Sequence, residues 1–181
     1  MLARNADVDL WALDEVHFQQ HGSRCRMWVA PEIKDPVLMH APTRRQVGYF
    51  GAVRLRDGKF LYLQEPEKFT GESFWDFLRL LKLRSERSGR KVVAISDNAK
   101  YHHARLHKDW RAEHEAVFRL HYLPPYSPEL NPIERVWKLT RRLCLHNVYF
   151  ESLDQVVDTV ESQFNQWLQN SPILHKLCAI A

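Results

Sequence analysis

Three carboxylates stand where a carboxylate needs a reason. Asp14 interrupts the largely apolar stretch DLWALDEVHF (residues 9–18), where an uncompensated charge is costly unless it is hydrogen-bonded, paired or bound to a cation. Asp97 closes the β-branched run KVVAISD (91–97), and open α/β sheets gather ligands just beyond the carboxyl ends of their strands. Glu134 follows the stretch YLPPYSPELNPIERVW (122–137), in which Pro124, Pro125 and Pro128 fix φ and bar continuation of a strand. Asn131 and Pro132 there read as the N-cap and first residue of a helix, with Glu134 at its third position. If the strands bearing Asp14 and Asp97 are neighbours, the two acids converge, and a divalent cation is what keeps both ionised near neutral pH. Ligation by oxygen alone suits Mg²⁺ or Mn²⁺. Each acid also has a plain structural reading: Asn-x-x-Glu is a capping box, Asp14 a satisfied buried acid, and Asp97-Asn98 a turn.

The elements that must position these acids follow from periodicity. Residues 9–18 read as a central strand, 24–30 as a second, and 46–56 as a third that ends at the turn dipeptide Asp57-Gly58, with 59–64 as its return strand. Residues 70–87 carry Phe74, Phe77, Leu78 and Leu81 at helical spacing with Thr70 as N-cap. Residues 91–97 suit a strand covered on both faces. A short helix over 104–114 leads to a strand at 116–123 and the proline stretch. Ile133, Val136, Trp137, Thr140 and Leu143 then line one helix face, and Ser152 with Gln155 opens a last helix whose inner face is Val156, Val160, Phe164 and Trp167. This order, antiparallel strands first and then alternating helices and strands, predicts an α/β domain with a mixed sheet flanked by helices.

The bulk numbers agree. With 181 residues, 45% of them hydrophobic and 27% charged, the chain is sized and composed as one folded domain. No apolar run approaches the roughly 20 residues that span a bilayer, and the amino end lacks a secretory pattern, so a cytoplasmic location and no membrane partner are expected. Cys25, Cys144 and Cys178 are too scattered for a zinc knuckle or a disulfide framework and are expected as reduced core thiols. The net charge of +4 favours a polyanion only mildly. Its distribution says more, because Arg135, Lys138, Arg141 and Arg142 fall directly behind the proline stretch.

Asp14-Glu15, Asp97-Asn98-Ala99 with His102, and the run from Pro124 to Glu134 with Trp137 together resemble the DDE transposases of the mariner superfamily, especially its bacterial insertion-sequence branch. The resemblance extends from about residue 9 to the final helix. It implies a ribonuclease H-like fold of the retroviral-integrase type, a catalytic triad of Asp14, Asp97 and Glu134, and two Mg²⁺ or Mn²⁺ ions held by these residues. With 36 residues between them, Asp97 and Glu134 fall in the range of that superfamily. The implied activity is metal-dependent cleavage of a DNA strand followed by transfer of the freed 3′-hydroxyl to target DNA. Arg135, Lys138, Arg141 and Arg142 then become candidates for phosphate contact. Glu15, Asn98, His102 and Asn131 become candidates for orienting the triad, while His103 and His107 have no matching ligands for zinc. Trp137 is read as core.

Two features depart from the family. Glu32 stands four residues after Trp28 where the family usually has Gly, and nothing before Asp9 is long enough for the expected helix-turn-helix DNA-binding region. The chain is therefore expected to be a single catalytic domain over residues 1–181. Its expected partners are DNA, a second copy of itself as a homodimer and a separately encoded DNA-binding segment, at a nucleoid-associated location. The competing expectation is a non-catalytic remnant that binds nucleic acid or assembles with a full-length transposase. A histidine-based hydrolase would instead require Asp14 to be dispensable.

Overall fold

The computed structural model describes residues 7–34, 37 and 39–179. Residues 1–6, on which the amino-terminal expectation falls, lie outside that set. The twelve-residue strand β1 (Val8–Gln19) sits in the middle of a five-stranded sheet. Its antiparallel neighbour is β2 (Gln46–Arg54), which pairs in turn with the edge strand β3 (Phe60–Glu65). On the other side β1 runs parallel to β4 (Lys91–Ser96), and β4 runs parallel to the second edge strand β5 (Phe118–Tyr122). The order is β3-β2-β1-β4-β5, the mixed sheet anticipated above.

Alternation along β1 divides the core. Leu10, Ala12, Val16 and Phe18 join the cluster under three helices: α3 (Ile133–Thr140), α4 (Leu153–Trp167) and α5 (Pro172–Cys178). Trp11 and Leu13 face the opposite cluster, built on Phe74, Phe77, Leu78 and Leu81 of α1 (Gly71–Ser85). Asp14 and Glu15 therefore leave the strand on opposite faces. The start of α1 follows the sequence pattern, with the Thr70 side chain accepting from the Ser73 amide and the Ser73 side chain returning to the Thr70 amide.

Three expectations need correction. Residues 24–30 form no strand: both sides of β1 are already occupied by β2 and β4, and most of the segment's side chains, Trp28 among them, stay in solvent. Only Ser23, at its root, makes an isolated bridge, with His146. Cys25 on this segment is exposed, whereas Cys144 and Cys178 are buried as expected. The segment 104–114 is mostly tight turns, with an α-helix, α2, confined to Lys108–Glu113. The sequence reading also passed over α5, although Ser171 and Pro172 mark its start and the Ser171 side chain accepts from the Leu174 amide.

Candidate active site

The parallel register of β1 and β4 joins Ala12 to Ile95, and two residues on stand Asp14, still within β1, and Asp97, just past the end of β4. Where β5 ends, the Leu123 amide bonds the Ser96 carbonyl, and the proline stretch then crosses the carboxyl end of β4 toward α3. Asp14, Asp97 and Glu134 thus line one cleft of about 400 Å³, together with Asn98, Asn131 and the proline stretch. All three acids predicted to work together are brought together.

A tryptophan orients Asp14. Its Oδ2 accepts a 3.1 Å hydrogen bond from the indole N–H of the buried Trp137, so this core residue also orients the carboxylate. The indole fits because the residue opposite Asp14 in β2 is Gly51: a Cβ there would lie 2.2 Å from Cη2 of Trp137. No cation compensates Asp14 among the described residues. Burial, then the nearby charges of Glu15 and Glu134, push its carboxyl up to about 8.

Asp97 has the opposite environment. Its Oδ1 lies 2.9 Å from Nδ1 of His102, and the hydrogen bond to that imidazole holds the carboxyl below its usual range against the opposing effect of burial. His102 is fully buried, packed on Phe74, and its Nε2 lies 2.7 Å from Oε1 of Glu15. Burial alone would lower the pKa of His102; its bonds to Asp97 and Glu15 outweigh burial and raise it to about 9. Glu15, Asp97 and His102 bring one ligand atom each within 4.8 Å of one another. A protonated imidazole between the two carboxylates already occupies the centre of that group, so it reads as an ionic brace on Asp97 rather than as a cation site.

Asn131 does not cap α3 with its side chain. No side chain caps that helix, so the capping-box reading of Glu134 falls away. Pro132 has helical dihedrals (φ −59°, ψ −27°) and Asn131 is extended (φ −92°, ψ 107°), as the sequence pattern implies, but the Asn131 amide turns into the sheet. Its Nδ2 donates a 3.0 Å bond to the carbonyl of Leu13, the residue before Asp14, while its buried Oδ1 has no partner. This bond bolts the entrance of the helix bearing Glu134 to the strand bearing Asp14. Glu134 itself is half-buried, and its carboxylate makes no hydrogen bond or ion pair among the described residues.

The donor set fits a hard divalent cation: three carboxylates on one cleft, two of them without a cationic partner, beside an unpaired amide oxygen. The remaining candidates disperse. Asn98 bonds His103, which belongs to no metal-ligating group among the described residues, and the same holds for His107. Arg135, Lys138 and Arg142 share a helical stripe, but Arg135 donates to the carbonyls of Leu177, in the last turn of α5, and Ala179, just past its end. Arg141 leaves that stripe and lies over the Phe18 ring. Sequence reasoning missed Gly51; its signal was a glycine inside a strand, which marks close approach of another group.

A family model for DDE superfamily endonucleases matches residues 9–157. The chain is 36% identical over 108 residues to an uncharacterized protein of Sinorhizobium fredii, covering 60% of this chain and 75% of that one. Its fold resembles Mos1 transposase in a strand transfer complex, with a TM-score of 0.66 and 18% identity over 96% of this chain and 50% of that one. It also resembles the catalytic domain of Mos1 mariner transposase (TM-score 0.61, 15% identity, 96% and 76% coverage). The HTLV-2 integrase catalytic core is a further likeness (0.51, 15%, 87% and 86%). The fold is thus ribonuclease H-like, and the chain spans about half the length of the Mos1 chain in the strand transfer complex.

Proposed function

The chain belongs to the DDE superfamily endonucleases, and from that premise we propose that it is a transposase catalytic domain that cuts a DNA strand and joins the freed 3′-hydroxyl to a target strand. The observation that carries this reading is the meeting of Asp14, Asp97 and Glu134 on one cleft, with Asp14 and Glu134 left without a cationic partner. Two Mg²⁺ or Mn²⁺ ions bound there would activate the attacking oxygen and stabilise the leaving one. Asp14, Asp97 and Glu134 would hold them. Trp137 and Gly51 fix its carboxylate, His102 and Glu15 brace Asp97, and Asn131 sets the distance from Asp14 to the helix of Glu134.

Lys138 and Arg142 are the exposed part of the basic stripe that begins on α3, and phosphate contacts with DNA are proposed for them and for Arg141, which lies over the Phe18 ring. Arg135 contributes charge to that face while tying α5 to α3. A second copy of the chain, a separate DNA-binding segment and a nucleoid-associated location complete the proposal. Among the described residues no helix is long and apolar enough to cross a membrane. The test is nicking of supercoiled plasmid DNA with Mg²⁺ or Mn²⁺. The wild type is expected to nick, and Asp97→Ala to bind DNA without nicking. Salt-dependent binding by a wild type that never nicks would point instead to a non-catalytic DNA-binding domain.

A further inference from the structure

One residue of the cleft is explained neither by the triad nor by packing. Tyr126 lies between Pro125 and Ser127 on the cleft wall, with φ at 57°, in the left-handed region that bulky side chains rarely adopt. Glycine takes that backbone conformation without strain, so the turn does not ask for an aromatic residue. Burial does not ask for one either, because Tyr126 is 101% exposed. Among the described residues its ring stacks on no other ring and its hydroxyl bonds nothing. The loop beneath it is nevertheless firm. Pro124, Pro125 and Pro128 restrict the backbone, the Ser127 hydroxyl donates to the Pro125 carbonyl at 3.3 Å, and the Leu130 and Asn131 amides close the following turn on Ser127 and Pro128. A rigid loop therefore holds a bare aromatic face in water at the rim of a cleft lined by three carboxylates.

Resting on the DNA-cutting reading above, we propose that Tyr126 is a positioning residue that stacks on an unpaired nucleobase beside the phosphate under attack. The cleft accepts a nucleotide-sized group, and the acids at its floor await a phosphodiester. A base next to that phosphate has a free face only once it has left the duplex stack. An exposed ring on a stiff loop is what captures such a face, whatever the base. The hydroxyl adds nothing essential, so phenylalanine and tryptophan substitute for it.

The experiment uses short duplexes whose 3′ overhang carries 2-aminopurine at each position in turn, titrated with protein in the absence of divalent metal, together with plasmid nicking in Mn²⁺. Stacking quenches 2-aminopurine. Quenching is expected at one overhang position with the wild type, Tyr126→Phe and Tyr126→Trp, and not with Tyr126→Ala or Tyr126→Gly. The last two should bind the overhang about tenfold or more weakly. Tyr126→Gly is the decisive variant, because it relieves the backbone and should melt no lower than the wild type. A residue serving only the turn would leave Tyr126→Gly with full quenching and full nicking, and that result overturns the inference, as does a wild type that quenches at no position. Quenching by a wild type that fails to nick would sink the proposed reaction while leaving the stacking role standing.

Discussion

β1 carries an acid near its start and another, part-buried, at its middle, and it treats them in opposite ways. Near the start of the strand, fully buried Asp9 is met by Arg54 and Arg56, each at 3.0 Å, and Arg54 is itself locked to Asp57. Five residues on, Asp14 has a Trp137 N–H, the charges of two more acids and no cation among the described residues. The same residue type on the same strand is a closed ionic cluster in one place and an open demand for positive charge in the other. The difference teaches that a buried acid signals function when its compensation is missing, not merely when it is buried.

Several substitutions would break or sharpen this contrast. The largest effect is expected at the open site: Asp14→Asn should reduce plasmid nicking by a factor on the order of 10³ or more, as for one member of a group acting as a unit. Thermal unfolding of the same variant near neutral pH should show a metal-free protein at least as stable as the wild type, since the penalty for holding a carboxyl away from its usual ionised state has gone. At the closed site the signs reverse. Asp9→Asn should cost about 3 kcal/mol in denaturant unfolding, because it leaves two arginines facing a buried site, while folded protein keeps its Mn²⁺ affinity.

Gly51→Ala tests the support of Asp14 rather than the acid. Its Cβ would overlap Trp137, so a cost of about 1–3 kcal/mol and a weakened Mn²⁺ affinity should appear together. Stability lost with metal affinity intact would detach the indole from the site.

A further effect is in pH. Asp14 has a folded pKa of about 8, above its ordinary value of 3.8, so between those limits the folded protein binds more protons than the unfolded one. Its contribution to metal-free stability must therefore fall as pH rises from about 4 to about 8 and stay level above that. Cation binding displaces the same proton. Mn²⁺ affinity should then rise with pH by up to about tenfold per unit until about pH 8, and calorimetry in buffers of different ionisation enthalpy would report the released proton. A flat profile would mean that Asp14 is already ionised.

Much of this arrangement is legible in the sequence because local rules and tertiary demands agree. The run at 91–97, the Asp57-Gly58 turn, the Thr70 cap and the proline-set entry to α3 each carry their own signal, and they place Asp97 and Glu134. The failures have a common origin in contacts distant along the chain. Residues 24–30 have the composition of a strand but no free sheet edge beside β1. Asn131 has the grammar of a cap, yet its amide is worth more to the carbonyl of Leu13, 118 residues away. The closing of Asp9 by arginines from the β2 end, and the clearance that Gly51 gives Trp137, depend on strand register, which periodicity alone does not supply.

Asp14 and Glu134, 120 residues apart in sequence, are proposed to share one cation site. Titration calorimetry of Mn²⁺ into the wild type, Asp14→Asn and Glu134→Gln tests it most directly. The wild type should bind, and both substitutions should weaken that binding by tenfold or more. Wild-type binding that survives both substitutions unchanged would contradict it.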